Sequence, residues 1–343
     1  MPRLQLWGIA PSNEHGTSNT FRLLGLFLVT LASAPFAFAA EPAAANLPQS
    51  SKTPKVLLIG IDGLRVDALK KANTPALDQL AAAGSIRYQT RVISEQVPDS
   101  DTISGPGWTT YLTGTWADRH GVLDNSFKGR KSDQAPHLFR LTKQGNPDLL
   151  TASFLDWTPL NQHVTTDADV NVIVSPNAKM DEYVGGDETI AHMAAALLAS
   201  RPIDIAFVYL GAVDETGHKH GFHPTVKPYM DQIETTDRHI QRLLEAIAAR
   251  PTYDQEDWLV VVGSDHGGEG TGHGGGRENS MVYHTAMIVS GDAALPNSKT
   301  DETPSVSTTD ITAVALTHLG ITLEPEWKLA GDATLWLKPS DRQ

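Results

Sequence analysis

The 343-residue chain contains no cysteine. Disulfides, thiolate metal ligands and a cysteine nucleophile are thereby excluded together, and stability must come from a core large enough to fold without covalent staples. Long apolar runs are missing as well. The apolar stretch at 23–29 is shorter than the roughly 20 residues a membrane-spanning helix needs. Basic charge is also scarce: 27 Lys and Arg face 40 Asp and Glu, a formal charge of −13 with no basic run. That balance argues against tight, non-specific binding to nucleic acid. No internal repeat and no second composition regime follow residue 55, so one α/β domain is the economical reading.

The first residues do not fit that domain. Arg22 precedes the apolar run 23–29, and small residues follow, ending in Ala37-Phe38-Ala39. A basic flank, an apolar core and an A-x-A site have the layout of a secretory signal over 1–39, with a membrane anchor as the competing reading. Export to the periplasm or the medium is the expectation, with no stable span once the signal is removed. Its removal takes away two positive charges and one negative one, leaving an acidic body. An Ala-, Pro- and Ser-rich stretch over 40–54 reads as a tether, and 55–343 as the catalytic domain.

Within the domain, apolar, β-branched runs at 55–61, 203–210 and 258–263 read as buried strands, with a fourth at 287–289. Helices are expected over 75–83, 104–113 and 310–319, bounded by a Pro, a capping residue or a terminal Gly, and over 225–249 from apolar residues at helical spacing. Strands apolar on both faces and alternating with helices predict a largely parallel central sheet covered on both sides. In such sheets ligands bind beyond the carboxyl ends of the strands. Six Asp and His residues fall there: Asp62; Asp214 with His218; and Asp265, His266 and His273. A hydroxyl-bearing segment, Ser104-Gly105-Pro106-Gly107-Trp108, lies between the first group and the second. Carboxylates and imidazoles suit zinc or another first-row ion, and an adjacent hydroxyl suits metal-assisted hydrolysis.

Several stretches occur in order: Ile59-Gly60-Ile61-Asp62-Gly63-Leu64-Arg65, the Ser104 segment running to Thr113-Gly114, His120-Gly121-Val122, Val213-Asp214-Glu215-Thr216-Gly217-His218, and Ser264-Asp265-His266-Gly267. Together they resemble the alkaline phosphatase superfamily, and within it the type I phosphodiesterases and nucleotide pyrophosphatases. The resemblance covers nearly the whole chain from residue 55 and implies an alkaline-phosphatase-like fold. It implies two divalent cations, zinc first and manganese as the alternative. One would be held by Asp62, Asp265 and His266 and would also contact Ser104; the other would be held by Asp214, His218 and a late His. His273, followed by Gly274, fits that late position, and His284 competes for it. The four-residue spacing of Asp214 and His218 allows a shared helix face, but the intervening Gly217 favours a loop wrapping one ion.

The resemblance makes Ser104 the nucleophile, with Thr102 the alternative and simple helix capping the structural reading. Asn125 would donate to a phosphoryl oxygen. The family's Pro-Asn-His stretch is Pro106-Gly107-Trp108 here, and Trp108 could stack on a substrate ring or pack in the core. The implied activity is hydrolysis of a small phosphate diester or nucleotide through a phosphoseryl intermediate, with no nucleic-acid scaffold. A phosphomonoesterase or phosphonate hydrolase, and a non-catalytic metal-binding protein, are the rivals. A sulfatase is disfavoured because Trp108 stands where the C/S-x-P-x-R pattern requires Arg.

Overall fold

The structure, a computed structural model, describes residues 52–97, 99–174, 180–297 and 305–339. The expected signal, and the expected tether up to residue 51, lie outside these residues. Strand β1 (Thr53–Ile61) takes up the tether's last two positions, because Thr53 and Pro54 already pair with Glu256 and Asp257.

The other strands are β2 (Gly84–Arg91), β3 (Thr151–Leu155), β4 (Val170–Ile173), β5 (Ile205–Leu210), β6 (Glu256–Gly263) and β7 (His284–Ser290). Helices α1 (Val66–Leu69), α2 (Pro75–Ala83), α3 (Ser104–Thr113), α4 (Ala117–His120), α5 (Leu138–Gly145) and α6 (Thr158–His163) occupy the first half. Helices α7 (Met180–Ser200), α8 (Ala212–His220), α9 (Lys227–Ala248), α10 (Ser280–Tyr283) and α11 (Asp310–His318) occupy the second.

The strands form one sheet in the order β2-β7-β6-β1-β5-β3-β4. Strands β6, β1, β5, β3 and β4 run parallel, and β7 and β2 add an antiparallel edge. Successive residues of β1 serve opposite faces, as the strand pleat requires. Val56 and Leu58 pack with Trp108, Leu138 and Ile311, whereas Leu57, Ile59 and Ile61 pack with Leu77, Ile190 and Ile233. Helices therefore cover both faces, as the unbroken apolar runs predict. Because β1, β5 and β6 are adjacent and parallel, their carboxyl ends share one edge. Asp62 follows β1 directly, Asp265 lies just beyond β6, and Asp214 sits on α8 after β5.

Two local expectations change. Asp214 and His218 do share a helix, α8, rather than a loop. Gly217 sits inside that helix because the ring of Phe222 passes where a side chain would be: an added Cβ would come within 2.2 Å of it. The residue capping α3 is Ile103, and Ser104 makes no capping hydrogen bond.

Candidate active site

The six expected ligands converge. Asp62, Asp265 and His266 form one group and Asp214, His266 and His273 another, each with ligand atoms within 4.8 Å of one another. His218 joins the second through Asp214 Oδ2 at 3.3 Å and His273 Nε2 at 3.0 Å. His266 thus stands at the seam of both groups rather than in the first alone.

The imidazoles are set for ligation by their backbone partners. His266 Nδ1 meets Gly267 O at 2.8 Å, His273 Nδ1 meets Thr102 O at 2.9 Å, and His218 Nδ1 meets Thr271 O at 2.9 Å. A carbonyl can only accept, so each Nδ1 carries the proton and each Nε2 faces inward. Burial holds His266 down at about 3, and burial with His266 holds His273 at about 3, so both rings are neutral donors at physiological pH.

The carboxylates show the complementary strain. Asp62 Oδ1, Asp214 Oδ1 and Asp265 Oδ2 are buried without a protein hydrogen-bond partner. Burial and the charge of Asp62 push Asp265 well up and Asp214 up to about 7. The hydrogen bond to Asp214 raises His218 to about 9. Clustered, desolvated carboxyls beside the neutral rings of His266 and His273 form a donor set that cations satisfy and protons satisfy only in part. The residues fit two divalent ions.

Ser104 belongs to this centre. The Oγ lies 3.3 Å from His266 Nε2, and the residue lines a cavity of about 120 Å³ with Asp62, Asn125, Asp214, His218 and His273. Ser104 itself is buried. The other hydroxyl, on Thr102, donates to His273 O at 2.6 Å and accepts from Gly276 N, so it fastens the ligand loop. Asn125 Oδ1 accepts from Gly105 N at 2.6 Å, which orients its amide at the cavity wall. At Gly107 an added Cβ would sit 2.8 Å from Asp265 Cβ; only glycine lets α3 come this close to the ligand.

The stacking role suggested for Trp108 is corrected. Its ring is fully buried among Tyr111, Phe207 and Tyr209 and offers a substrate no face. It acts from behind instead: the indole N–H donates to Asp62 Oδ2 at 3.0 Å, and Tyr209 O–H donates to the same oxygen at 2.6 Å. With Oδ2 held twice, Oδ1 is the free ligand atom. His284, the rival late ligand, packs on Tyr283 at the start of β7 and is not in either ligand group. Sequence reasoning missed Trp157, Tyr183 and Glu215, which line the cavity, and Tyr209, which also holds Asp62.

Comparison with known proteins gives this geometry a lineage. The family model for type I phosphodiesterase / nucleotide pyrophosphatase matches residues 56–281, well over half of the chain. The chain belongs to that family. Ectonucleotide pyrophosphatase/phosphodiesterase family member 7 of Rattus norvegicus is 25% identical over 240 residues, covering 64% of this chain and 51% of its own. The bis(5'-adenosyl)-triphosphatase of Bos taurus is 27% identical over 229 residues, covering 64% of this chain and 48% of its own. The chain thus spans about half the length of the curated relatives it matches. Among solved structures, murine ectonucleotide pyrophosphatase/phosphodiesterase 5, solved in complex with AMP, aligns with a TM-score of 0.58 at 14% identity. That alignment covers 82% of this chain and all of the other. A 2-O GAG sulfatase aligns with a TM-score of 0.66, also at 14% identity, over 82% of this chain and 73% of its own. The structural likenesses show a shared alkaline-phosphatase-like fold, and the family match places the chain among the type I phosphodiesterases and nucleotide pyrophosphatases.

Proposed function

We propose that this protein is an exported phosphodiesterase that depends on two divalent cations, zinc or else manganese, and uses Ser104 as nucleophile. The observation that carries the reading is the position of Ser104 Oγ, 3.3 Å from the ring shared by both ligand groups and open to the same cavity as Asn125. Asp62, Asp265 and His266 would hold one cation, and Asp214, His218 and His273 the other. When bound, the cations supply charge neutralisation for the phosphoryl group and ease loss of the Ser104 proton.

The chain's own groups do the rest. Ser104 Oγ forms a bond to phosphorus as the ester oxygen leaves, giving a phosphoseryl intermediate, and water releases the phosphoryl group in the second half. Asn125 presents a neutral N–H to a non-bridging oxygen. No Lys or Arg lines the cavity among the described residues, which favours the single negative charge of a diester over a dianionic monoester. Residues 1–39 direct export as a secretory signal in this reading, and the domain works in the periplasm or outside the cell.

A substrate panel tests the reading. The purified, metal-loaded protein should hydrolyse bis-p-nitrophenyl phosphate and thymidine p-nitrophenyl phosphate with higher kcat/KM than p-nitrophenyl phosphate. Equal or faster monoester turnover would move the protein to the phosphatase side of the superfamily.

A further inference from the structure

Helix α8 carries two of the six ligands, yet its start has no cap of its own. The residue before it is Gly211, which has no side chain to offer the first amides. Asp187, on α7, supplies that cap from outside. Its Oδ1 accepts from Gly211 N at 2.8 Å and its Oδ2 from Ala212 N at 3.2 Å. A carboxylate here also faces the positive end of the helix.

Asp156, the residue after β3, stands behind Asp187. Both side chains are fully buried, and neither lines the cavity. Apart from Asp187 and its own backbone amide, the Asp156 carboxyl has no hydrogen-bond partner among the described residues. It lies tight against α7, since an added Cβ on Gly186 would come within 2.5 Å of its Oδ2. Two buried carboxyls hydrogen-bonded to each other share one proton. Asp187, with two amide donors from α8, keeps the charge; Asp156, with only its own amide, keeps the proton and donates it to Asp187. Burial and the charge of Asp187 push Asp156 well up, whereas burial lifts Asp187 only to about 7 against the pull of its two amides and Asp156.

We infer that Asp187 is a positioning residue for Asp214 and His218: its carboxylate fixes the first turn of α8, and Asp156 holds that carboxylate in aim. The inference rests on the reading of α8 as a ligand-bearing helix. The molecule contains its own control. Asp237, on α9, caps α2 in the same way through Ala76 N at 3.1 Å and Leu77 N at 2.9 Å, and α2 carries no ligand.

The test is a titration of the metal-free full chain with Zn²⁺, read by calorimetry, alongside thermal unfolding of each variant. Asp187→Ala should weaken one of the two ions by about 10- to 100-fold and leave the other close to wild type. Asp156→Asn, whose amide donates as the protonated carboxyl does, should retain both affinities. Asp237→Ala should lower Tm without altering either. Asp187→Asn keeps the shape and one acceptor; it should show the same selective loss in smaller measure, and it decides the matter if the alanine variant does not fold. Wild-type affinity at both sites in the Asp187 variants, or equal weakening of both, overturns the inference. A wild-type chain that binds fewer than two ions overturns the reading beneath it, and the inference with it.

Discussion

The two ligand groups share His266 but are built differently. Asp62, Asp265 and His266 follow central strands, are fully buried, and are held by rigid neighbours: Trp108 and Tyr209 on Asp62, and Gly267 O on His266. Asp214 and His218 ride on a short helix capped from α7, and His273 on a glycine-rich loop pinned by Asp101 and Thr102. The His218 side chain is 35% exposed, whereas that of His266 is wholly buried. The first group is held by the core and the second by a short helix and a glycine-rich loop nearer the surface. The strand-borne group should therefore hold its ion more tightly, and the helix-borne group should be the one that exchanges.

The largest expected effect isolates chemistry from this contrast. Ser104→Ala should reduce diester turnover by on the order of 10³-fold or more while both ions stay bound, because the covalent route goes and the ligands remain. Steady-state kinetics with metal analysis checks it, and turnover above about a tenth of wild type would place the nucleophile elsewhere. Next in size is proton competition at the helix-borne group. In the metal-free chain Asp214 takes up a proton near pH 7 and His218 near pH 9, and a cation must displace both. Apparent affinity should rise about 100-fold per pH unit below 7, about tenfold per unit from 7 to 9, and level off above. A flat profile in zinc titrations across that range would contradict proton competition at Asp214 and His218. Smaller still, Trp108→Phe keeps most of the packing but deletes a donor to Asp62. It should weaken the strand-borne ion by about tenfold and spare the other, as two-site calorimetry would show.

Much of this arrangement was legible in the sequence, and the exceptions share a cause. Asp62, Asp214 and Asp265 stand out because each follows an apolar strand, so sheet geometry alone gathers them. Ser104 and Asn125 came from ordered motifs rather than from spacing, and the structure brings both to the cavity. What stayed hidden depends on contacts between distant elements. Trp108 and Tyr209 read as core aromatics, and their polar atoms find Asp62 only once α3 and β5 pack on β1. Asp187 looks like an ordinary helix residue until α7 meets the start of α8. Strand β4 is short and half-exposed, and β2 is largely polar, so neither carries the apolar run that marked β1, β5 and β6.

Metal content tests the central claim most directly. After loading with zinc and exhaustive dialysis, elemental analysis of the wild-type protein should find two ions per chain, and Asp214→Ala should retain one, held by Asp62, Asp265 and His266. A wild-type chain with one ion or none, or an Asp214→Ala chain that loses both together, would contradict two groups of unequal construction built around Ser104.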